Sequence, residues 1–451
     1  MTDHAKVLHL YRRAGFGLSP QEWMKLREMT FREALDDLFA RTLRQAQRGP
    51  QVPAEVLKAG ETPDYTRKNI TPKERMEFQK QERQNIALIN VNWVKRMASP
   101  NQDALLEKMC LFWHGHFACE TKFSLLATQQ LNTLRAHALG NFRDLLLAIA
   151  RDPSMIRYLN NQQNRKLSPN ENFAREVMEL FTLGRGNYSE TDVKEAARAF
   201  TGWSSNKKGE FFFRTRLHDY GTKTFLGKTG DFDGTDIIDI ILEQPAAAEF
   251  ICRKVYRYFI NEQVDEARVQ ALADGFRQDY DIGQLMQTIF SSDWFYAPEN
   301  VGNKIKSPVE LVAGLMRQLN VREIAPRGII ILQQALGQVL FRPPNVAGWP
   351  GGSYWIDNST LLLRLNLAAT IFQAGEFNFE LAPELEQENK RQLKRLGAVI
   401  DLEPLNKIAE GNADALVGLL LAVPSPPDFV PRPDPEVTAL QLMSLPEYQI
   451  C

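Results

Sequence analysis

FAREVMELFTLGRGNYSETDVKEAARAFTG, residues 173–202, predicts two helices joined by a short turn. Apolar residues recur at helical intervals in its first half, 173–184, and again in the segment that follows Ser189. Gly184 suits the end of the first helix, because glycine adopts the left-handed backbone without a steric penalty. Gly202 closes the second helix in the same way. A helix hairpin of this kind indicates a mainly α fold.

Helix-start signals recur at three other places, SPQE at 19–22, SPNE at 168–171 and SPVE at 307–310. Each offers serine as the N-cap, proline at the first helical position and glutamate to complete a capping box. With helical periodicity along most of the chain, these signals predict a mainly α, multi-helical orthogonal array. Runs of β-type residues around the turn HDYG predict a small β-hairpin near 209–227.

The domain organisation follows from where composition changes. We expect a single helical domain over residues 1–374, with a polar surface excursion at 42–84. The segment PSPPDFVPRPDPE, 424–436, cannot be helical throughout, because proline removes backbone donors. Residues 375–451 are therefore predicted to form a C-terminal helical and Pro-rich extension packed on the main domain.

Composition excludes several classes of protein. The 451 residues are 44% hydrophobic and carry a formal net charge of −1, so we expect no general attraction to nucleic acid or to an anionic membrane. No stretch is long and apolar enough for a membrane span, and the N-terminus shows no signal-peptide pattern. The four cysteines lack zinc spacing, so reduced thiols and a cytoplasmic location are expected.

The motif FWHGHF, 112–117, holds two of the six histidines. On a continuous helix, His114 and His116 point about 200° apart and cannot share a metal ion. If Gly115 ends the helix and the chain becomes extended, both side chains project to one face. The alternative is that each histidine is a hydrogen-bonded core residue.

Two glutamates mark the helix at 173–184. Ideal helical spacing places Glu176 on the apolar face, and Glu179 lies at the edge of that face. A carboxylate in that position needs a cation, a donor or a metal ion. The two glutamates are therefore candidate metal ligands together with His114 and His116. The alternative is that Glu176 forms an internal ion pair with an arginine such as Arg198 or Arg253.

Other candidate residues lie in loops and near the N-terminus. In HDYGTK, His218 is a candidate catalytic residue if the hairpin folds over the helical core. The loop RPPNVAGWPGGSYW could line a pocket with Arg342, Asn345 and Trp349, or it could be a structural strap. Arg12 suits recognition of a carboxylate or phosphate, and an internal ion pair is its alternative.

Six ordered blocks resemble one protein family: LYRRAGFGLSPQE, FWHGHFA, HALGNFRDLLLAIARDPSM, NENFAREVMELFTLGRGNYSETDVKEAARAFTGW, HDYGTKTFLG and LFRPPNVAGWPGGSYW. This pattern resembles the bacterial domain of unknown function 1800 family, over about His9 to Ala374. The resemblance implies no catalytic residues. Many relatives look exported, and their frequent neighbours resemble phosphatases and sulfatases, which implies a partner of that kind.

Two function hypotheses remain open at this point. The first is an enzyme with an interhelical site whose catalytic residues are Glu176, His116 and His218. With a divalent metal as cofactor it would perform hydrolysis or redox chemistry, and without one it would use acid/base catalysis. The second is a non-catalytic helical binding or scaffold protein that acts with the phosphatase/sulfatase-like partner.

Overall fold

The computed structural model describes residues 1–46, 71–206, 209–372, 398–410 and 413–451. Helices dominate these residues, which confirms the predicted mainly α class. The α-helices are α1 (Asp3–Ala14), α2 (Pro20–Leu26), α3 (Phe31–Ala46), α4 (Pro72–Ala98), α5 (Ala104–His116), α6 (Ser124–His137), α7 (Phe142–Ala150), α8 (Pro153–Tyr158), α9 (Asn172–Glu176), α10 (Glu190–Ala199), α11 (Gly234–Glu243), α12 (Pro245–Phe259), α13 (Glu266–Phe276), α14 (Ile282–Ser291), α15 (Pro308–Gln318), α16 (Pro326–Leu336), α17 (Asn358–Phe372), α18 (Glu403–Ala409), α19 (Ala413–Leu420) and α20 (Pro435–Met443).

Two of the three predicted helix starts are confirmed. Ser19 and Ser307 are the N-caps of α2 and α15, and in each helix a glutamate completes the capping box. At SPNE the prediction is wrong, because α9 begins only at Asn172. The backbone N–H of Asn170 instead donates to Oδ1 of Asn164 at 2.9 Å. A local side-chain bond of this kind competes with helix formation and keeps the segment in a loop.

The helix hairpin predicted over 173–202 is present, with one irregularity. Helix α9 passes directly into a π-helix, Val177–Thr182. The backbone N–H of Leu183 therefore donates to the carbonyl of Met178, five residues back, at 2.8 Å. Gly184 ends this segment with φ +76°, and Ser189 caps α10 as predicted. The π-helix changes which carbonyls are free, and the candidate site depends on that change.

The strands of the described residues form three short antiparallel pairs. They are β1 (Trp203–Ser205) with β2 (Phe211–Phe213), β3 (Lys223–Phe225) with β4 (Lys228–Gly230), and β5 (Val321–Glu323) with β6 (Val399–Ile400). Small hairpins thus occur near 209–227, as expected. The two β-type runs pair with flanking segments and not with each other.

Helix α5 carries FWHGHF and runs through the core. Every residue of this helix except Gly115 is buried. Near its start the Glu107 carboxylate accepts a bond from Nε1 of Trp93 at 2.8 Å and pairs with Arg96 and Arg135. The helix continues through Gly115 to His116. The extended backbone that a shared His114–His116 metal site requires is therefore absent.

The C-terminal segment packs on the N-terminal helices. Helices α18 and α19 contact α2 and α1, and α20 contacts α17. Residues 424–434 are non-helical, as their prolines predict. The predicted boundary at 374/375 lies outside the described residues, as does the 47–70 part of the predicted surface excursion. Residues 42–46 instead complete α3, where Thr42 is buried, and 72–84 form the mostly exposed start of α4, where Glu82 is buried.

None of the helices in the described ranges combines the length and the apolarity that crossing a bilayer requires. All four cysteines, Cys110, Cys119, Cys252 and Cys451, are buried free thiols.

Candidate functional site

A cleft of about 540 Å³ lies beside the carboxyl end of α5. Its walls come from that helix, from α12, from residues 304–310 and from the aromatic loop, defined as residues 342–355. Small-molecule sites typically have volumes of roughly 300–1,000 Å³ and combine apolar walls with a few polar groups. The cleft therefore has the size and composition of a ligand site.

His116 lines the cleft with a neutral imidazole. Its Nε2 lies 3.1 Å from the carbonyl oxygen of Phe181, to which it donates. Burial, and then the positive charge of Lys254, hold the pKa of this histidine well below its usual range. Nδ1 has no hydrogen-bond partner among the described residues. The ring thus keeps one lone pair free to accept a hydrogen bond or a proton.

Lys254 lies beside His116 on the same wall. Its Nζ donates to the carbonyl of Leu180 at 3.3 Å and lies 4.9 Å from the ring centroid of Phe250. Burial, and then the charge of Arg257, lower the pKa of this lysine to about 8. Leu180 and Phe181 are consecutive residues of the π-helix, so this irregular turn orients both polar groups of the wall.

The positive charge in the cleft is only partly neutralised. Within the described part of the chain, neither Lys254 nor Arg257 forms an ion pair. Glu262 is an exposed carboxylate on the rim and lies against the backbone of Gly352, where a Cβ would come within 2.5 Å of its Oε1. An anion entering the cleft would therefore meet two cations that have no competing carboxylate bound to them.

The floor of the cleft is a satisfied charge network. Glu310 pairs with Lys108 and, at 2.7 Å, with Lys304. Although burial opposes ionisation, the two lysines hold the pKa of Glu310 well below its usual value. The Nζ of Lys304 also lies 4.5 Å from the ring centroid of Tyr258. Burial, and then Glu310, raise the pKa of that phenol well above its usual value, so it stays protonated at neutral pH.

The aromatic loop is fastened to α5 by backbone and histidine contacts. Gly348, with φ +80°, approaches so closely that a Cβ would lie 2.3 Å from the carbonyl oxygen of Gly115. Nε2 of His114 accepts a bond from the backbone N–H of Phe341 at 3.1 Å. Burial lowers the pKa of His114 to about 4. His114 is thus a core histidine that positions the loop, which was the alternative to metal binding.

A family model for proteins of unknown function matches residues 9–450. The chain belongs to the DUF1800 family. The match continues beyond Ala374, where the resemblance of the motifs ended, and so includes the C-terminal segment. No curated protein and no solved structure matches this DUF1800 chain.

The predicted catalytic residues of this DUF1800 protein do not come together. His116 lines the cleft, whereas the other two lie outside it. Nδ1 of His218 lies 2.9 Å from the carbonyl oxygen of Thr201. Glu176 is half-buried at the end of α9, and burial followed by the charge of Glu179 raises its pKa. Among the described residues, no hydrogen bond or ion pair joins Glu176 or His218 to His116.

The predicted ion pair of Glu176 with Arg198 or Arg253 is wrong. Arg198 pairs with Asp219 at 2.7 Å, and Arg253 pairs with Glu266 at 2.6 Å. The prediction assumed that ideal α-helical spacing continues past Glu176. The π-helix begins at the next residue and ends that periodicity.

The predicted metal ligands His114, His116, Glu176 and Glu179 are not assembled as a set. Glu179 instead pairs with Arg185 at 2.6 Å and accepts a bond from the hydroxyl of Tyr188 at 2.9 Å. In the described ranges, no group of three or more His, Cys, Asp or Glu side chains is arranged to hold a metal ion. The continuous α5 and the π-helix together explain why these four side chains diverge.

Of the four predicted substrate-binding residues, only Trp349 lines the cleft. Its ring centroid lies 5.6 Å from that of His114. Arg342 is exposed outside the cleft, and Asn345 accepts a bond from the backbone N–H two residues on. Arg12 donates to main-chain carbonyls at the end of α19 and lines a separate small cavity.

The cations of the cleft were not among the predicted site residues. Lys254 lies three residues after Ile251 and four before Tyr258, on the apolar stripe of α12. A lysine in such a stripe is the same signal that drew attention to Glu176. Lys304 precedes α15 in an irregular segment, where no periodicity marks a buried position.

Proposed function

We propose that this DUF1800 protein binds an organic anion, a phosphate or sulfate ester, in the cleft between α5, α12 and the aromatic loop. The observation that carries the proposal is the pair of cations, Lys254 and Arg257, that line the cleft without ion-pair partners among the described residues. Phosphate and sulfate groups present several acceptor oxygens and suit a guanidinium and an ammonium side by side.

The aromatic loop supplies a surface for the rest of the ligand. Trp349 and Trp355 line the cleft together with Tyr354, which is 78% exposed although it belongs to the wall. Large exposed aromatic side chains in a concave site gain free energy when a ligand covers them. A ring-bearing ester would place its anionic group on α12 and its apolar body on these rings.

His116 and Lys254 also favour a second candidate function, acid/base catalysis on the bound ester. The amine has a pKa of about 8 and can exchange a proton near neutral pH, whereas the imidazole, with its pKa held well below the usual range, stays neutral and offers Nδ1 as a hydrogen-bond acceptor. This supports acid/base catalysis by Lys254, with His116 as a neutral hydrogen-bonding neighbour, without a metal and without Glu176. The phosphatase- or sulfatase-like partner and the cytoplasmic location stay predictions. Such a partner would act on phosphate or sulfate esters, the same class of ligand that we propose for the cleft.

We expect Lys254→Met to weaken binding of the ester by about 10- to 100-fold, because a charge-assisted hydrogen bond contributes about 1.5–3 kcal/mol. Isothermal titration with p-nitrophenyl phosphate, p-nitrophenyl sulfate and neutral p-nitrobenzyl alcohol would measure the effect. Binding by the wild type should also weaken above pH 8, where Lys254 loses its proton.

The control is Lys194→Met, which removes an exposed lysine from α10 and leaves the cleft intact.

Tyr354→Ala should weaken binding of both esters several-fold while leaving stability unchanged, because the ring is mostly exposed. The proposal would be refuted if the wild type bound the neutral alcohol as tightly as the two esters, or if Lys254→Met and Lys194→Met bound the esters equally.

A further inference from the structure

We infer that the anion bound in the cleft is a sugar ester, that is, a phosphate or sulfate ester of a polyhydroxylated ring. This inference rests on the proposed function and narrows its ligand to one chemical class. It is carried by two hydrogen-bond acceptors of the cleft, Nδ1 of His116 and the carboxylate of Glu262, to which no described residue donates. Cations alone would accept any ester, whereas acceptors without donors favour a ligand that brings hydroxyl groups.

Nδ1 of His116 is the first of these acceptors. The residue is only 5% exposed, and its Nε2 donates a proton to the carbonyl of Phe181. In a neutral imidazole the other nitrogen then carries a lone pair and no proton. Buried polar atoms are nearly always hydrogen-bonded in folded proteins. An acceptor left without a donor on a side chain that lines a cleft therefore indicates a donor on the ligand.

The neighbourhood of His116 restricts the kind of donor. Nζ of Lys254 bonds to the carbonyl of Leu180, the residue before Phe181, so the ammonium group lies close to the imidazole. After burial, its positive charge is the second cause that lowers the pKa of His116. Lys254 would repel a cationic donor such as an amine. A neutral hydroxyl avoids this repulsion and can lie next to the ester group that Lys254 binds.

The carboxylate of Glu262 is the second acceptor. It lies exposed on the rim of the same cleft, against the backbone of Gly352. No hydrogen bond or ion pair joins it to another described residue. A carboxylate accepts hydrogen bonds without donating any, and it repels a phosphate or sulfate group. The rim therefore favours the hydroxyl-bearing part of a ligand, while α12 favours the anionic part.

The aromatic side chains of the cleft suit the remaining surface of a sugar. Trp349, Tyr354 and Trp355 all line the cleft. A sugar ring presents C–H groups on its faces and hydroxyl groups around its edge. An aromatic side chain can therefore cover one face while the edge stays free for hydrogen bonds. An ester without hydroxyl groups would use the aromatic rings but would leave His116 and Glu262 without donors.

Isothermal titration with glucose 6-phosphate and cyclohexylmethyl phosphate tests the inference. The two probes carry the same phosphate group on a saturated ring, and only the sugar bears hydroxyl groups. The wild type should bind glucose 6-phosphate about fivefold more tightly or better, as one or two additional hydrogen bonds require. Equal binding, or a preference for the cyclohexyl ester, would overturn this inference and leave the ester site intact. If no ester binds, the p-nitrophenyl esters included, the proposed function and this inference both fail.

Two variants test the acceptors separately. Glu262→Gln should lower the preference for glucose 6-phosphate about 3- to 10-fold, because a charged acceptor becomes neutral. His116→Phe should lower the preference by a similar factor, since phenylalanine keeps an aromatic ring and removes Nδ1. Glu403→Gln changes an exposed carboxylate outside the cleft and should keep the wild-type preference. A preference that both cleft variants leave unchanged would overturn the inference.

If His116→Phe fails to fold, ¹⁵N NMR of the wild-type imidazole decides the matter. A nitrogen that accepts a hydrogen bond has its resonance moved upfield. The Nδ1 resonance of His116 should therefore move upfield when glucose 6-phosphate is added, and it should not do so with cyclohexylmethyl phosphate. A resonance that stays in place at saturating glucose 6-phosphate would overturn the inference.

Discussion

Glu310→Gln is expected to lower the free energy of unfolding by about 3–5 kcal/mol, because it leaves Lys108 and Lys304 buried without a counter-charge. Glutamine keeps the shape of the side chain and can still accept the bond that the backbone N–H of Ser307 donates at 2.7 Å. The loss is therefore one of charge. Urea unfolding at pH 7 would measure it.

Glu403→Gln is the matched control, since the Glu403–Lys407 pair is exposed and should contribute less than about 1 kcal/mol. Acid supplies a further check. The pKa of Glu310 is lowered on folding, so its stabilisation is present above its ordinary pKa of 4.5 and is lost as the pH falls below that value. The difference between wild type and Glu310→Gln should shrink accordingly. A loss below 1 kcal/mol at pH 7 would contradict the buried charge network.

Gly348→Ala is expected to destabilise the protein by about 2–5 kcal/mol, from left-handed strain and from overpacking together. The added Cβ would lie 2.3 Å from the carbonyl oxygen of Gly115, a distance that requires the aromatic loop to move away from α5. Because that loop forms one wall of the cleft, ester binding should weaken as well. Chemical denaturation and isothermal titration measure the two effects.

Gly337→Ala is the control that measures the cost of left-handed backbone strain without a steric clash. Gly337 ends α16 with φ +88°, and a Cβ there meets no atom within 4 Å. Its substitution should therefore cost only the backbone term, about 1–2 kcal/mol, and leave binding unchanged. Equal losses for the two alanine variants would show that the approach of Gly348 to Gly115 contributes nothing to stability.

Much of the fold could be predicted because its signals are local. Ser19, Ser189 and Ser307 each bond to groups within the same turn, so their capping boxes need no distant partner. SPNE carries the same signal and fails, because Asn164 lies close enough in the folded chain to hold the backbone of Asn170 in a loop. Local patterns predict local structure until a neighbour offers a competing bond.

The candidate site was predicted only in part. His116 and Trp349 were identified because histidine near glycine and tryptophan in a rigid loop are unusual local patterns. Glu176 was misplaced because nothing in FAREVMELFTLG distinguishes a π-turn from a regular helix. The resulting change of register turned the carbonyls of Leu180 and Phe181 toward Lys254 and His116.

The sequence alone predicted the helical class, the starts of α2, α10 and α15 and the family to which the chain belongs. These properties depend on residue spacing, capping and ordered motifs, all of which can be read along one chain. The tertiary structure was needed to show that Lys254 and Arg257 share a cleft with His116, and that Arg12, Lys108 and Lys306 line a second cavity. Charge balance in a buried space depends on which groups meet in three dimensions, because electrostatic interaction follows distance through space and not separation along the chain.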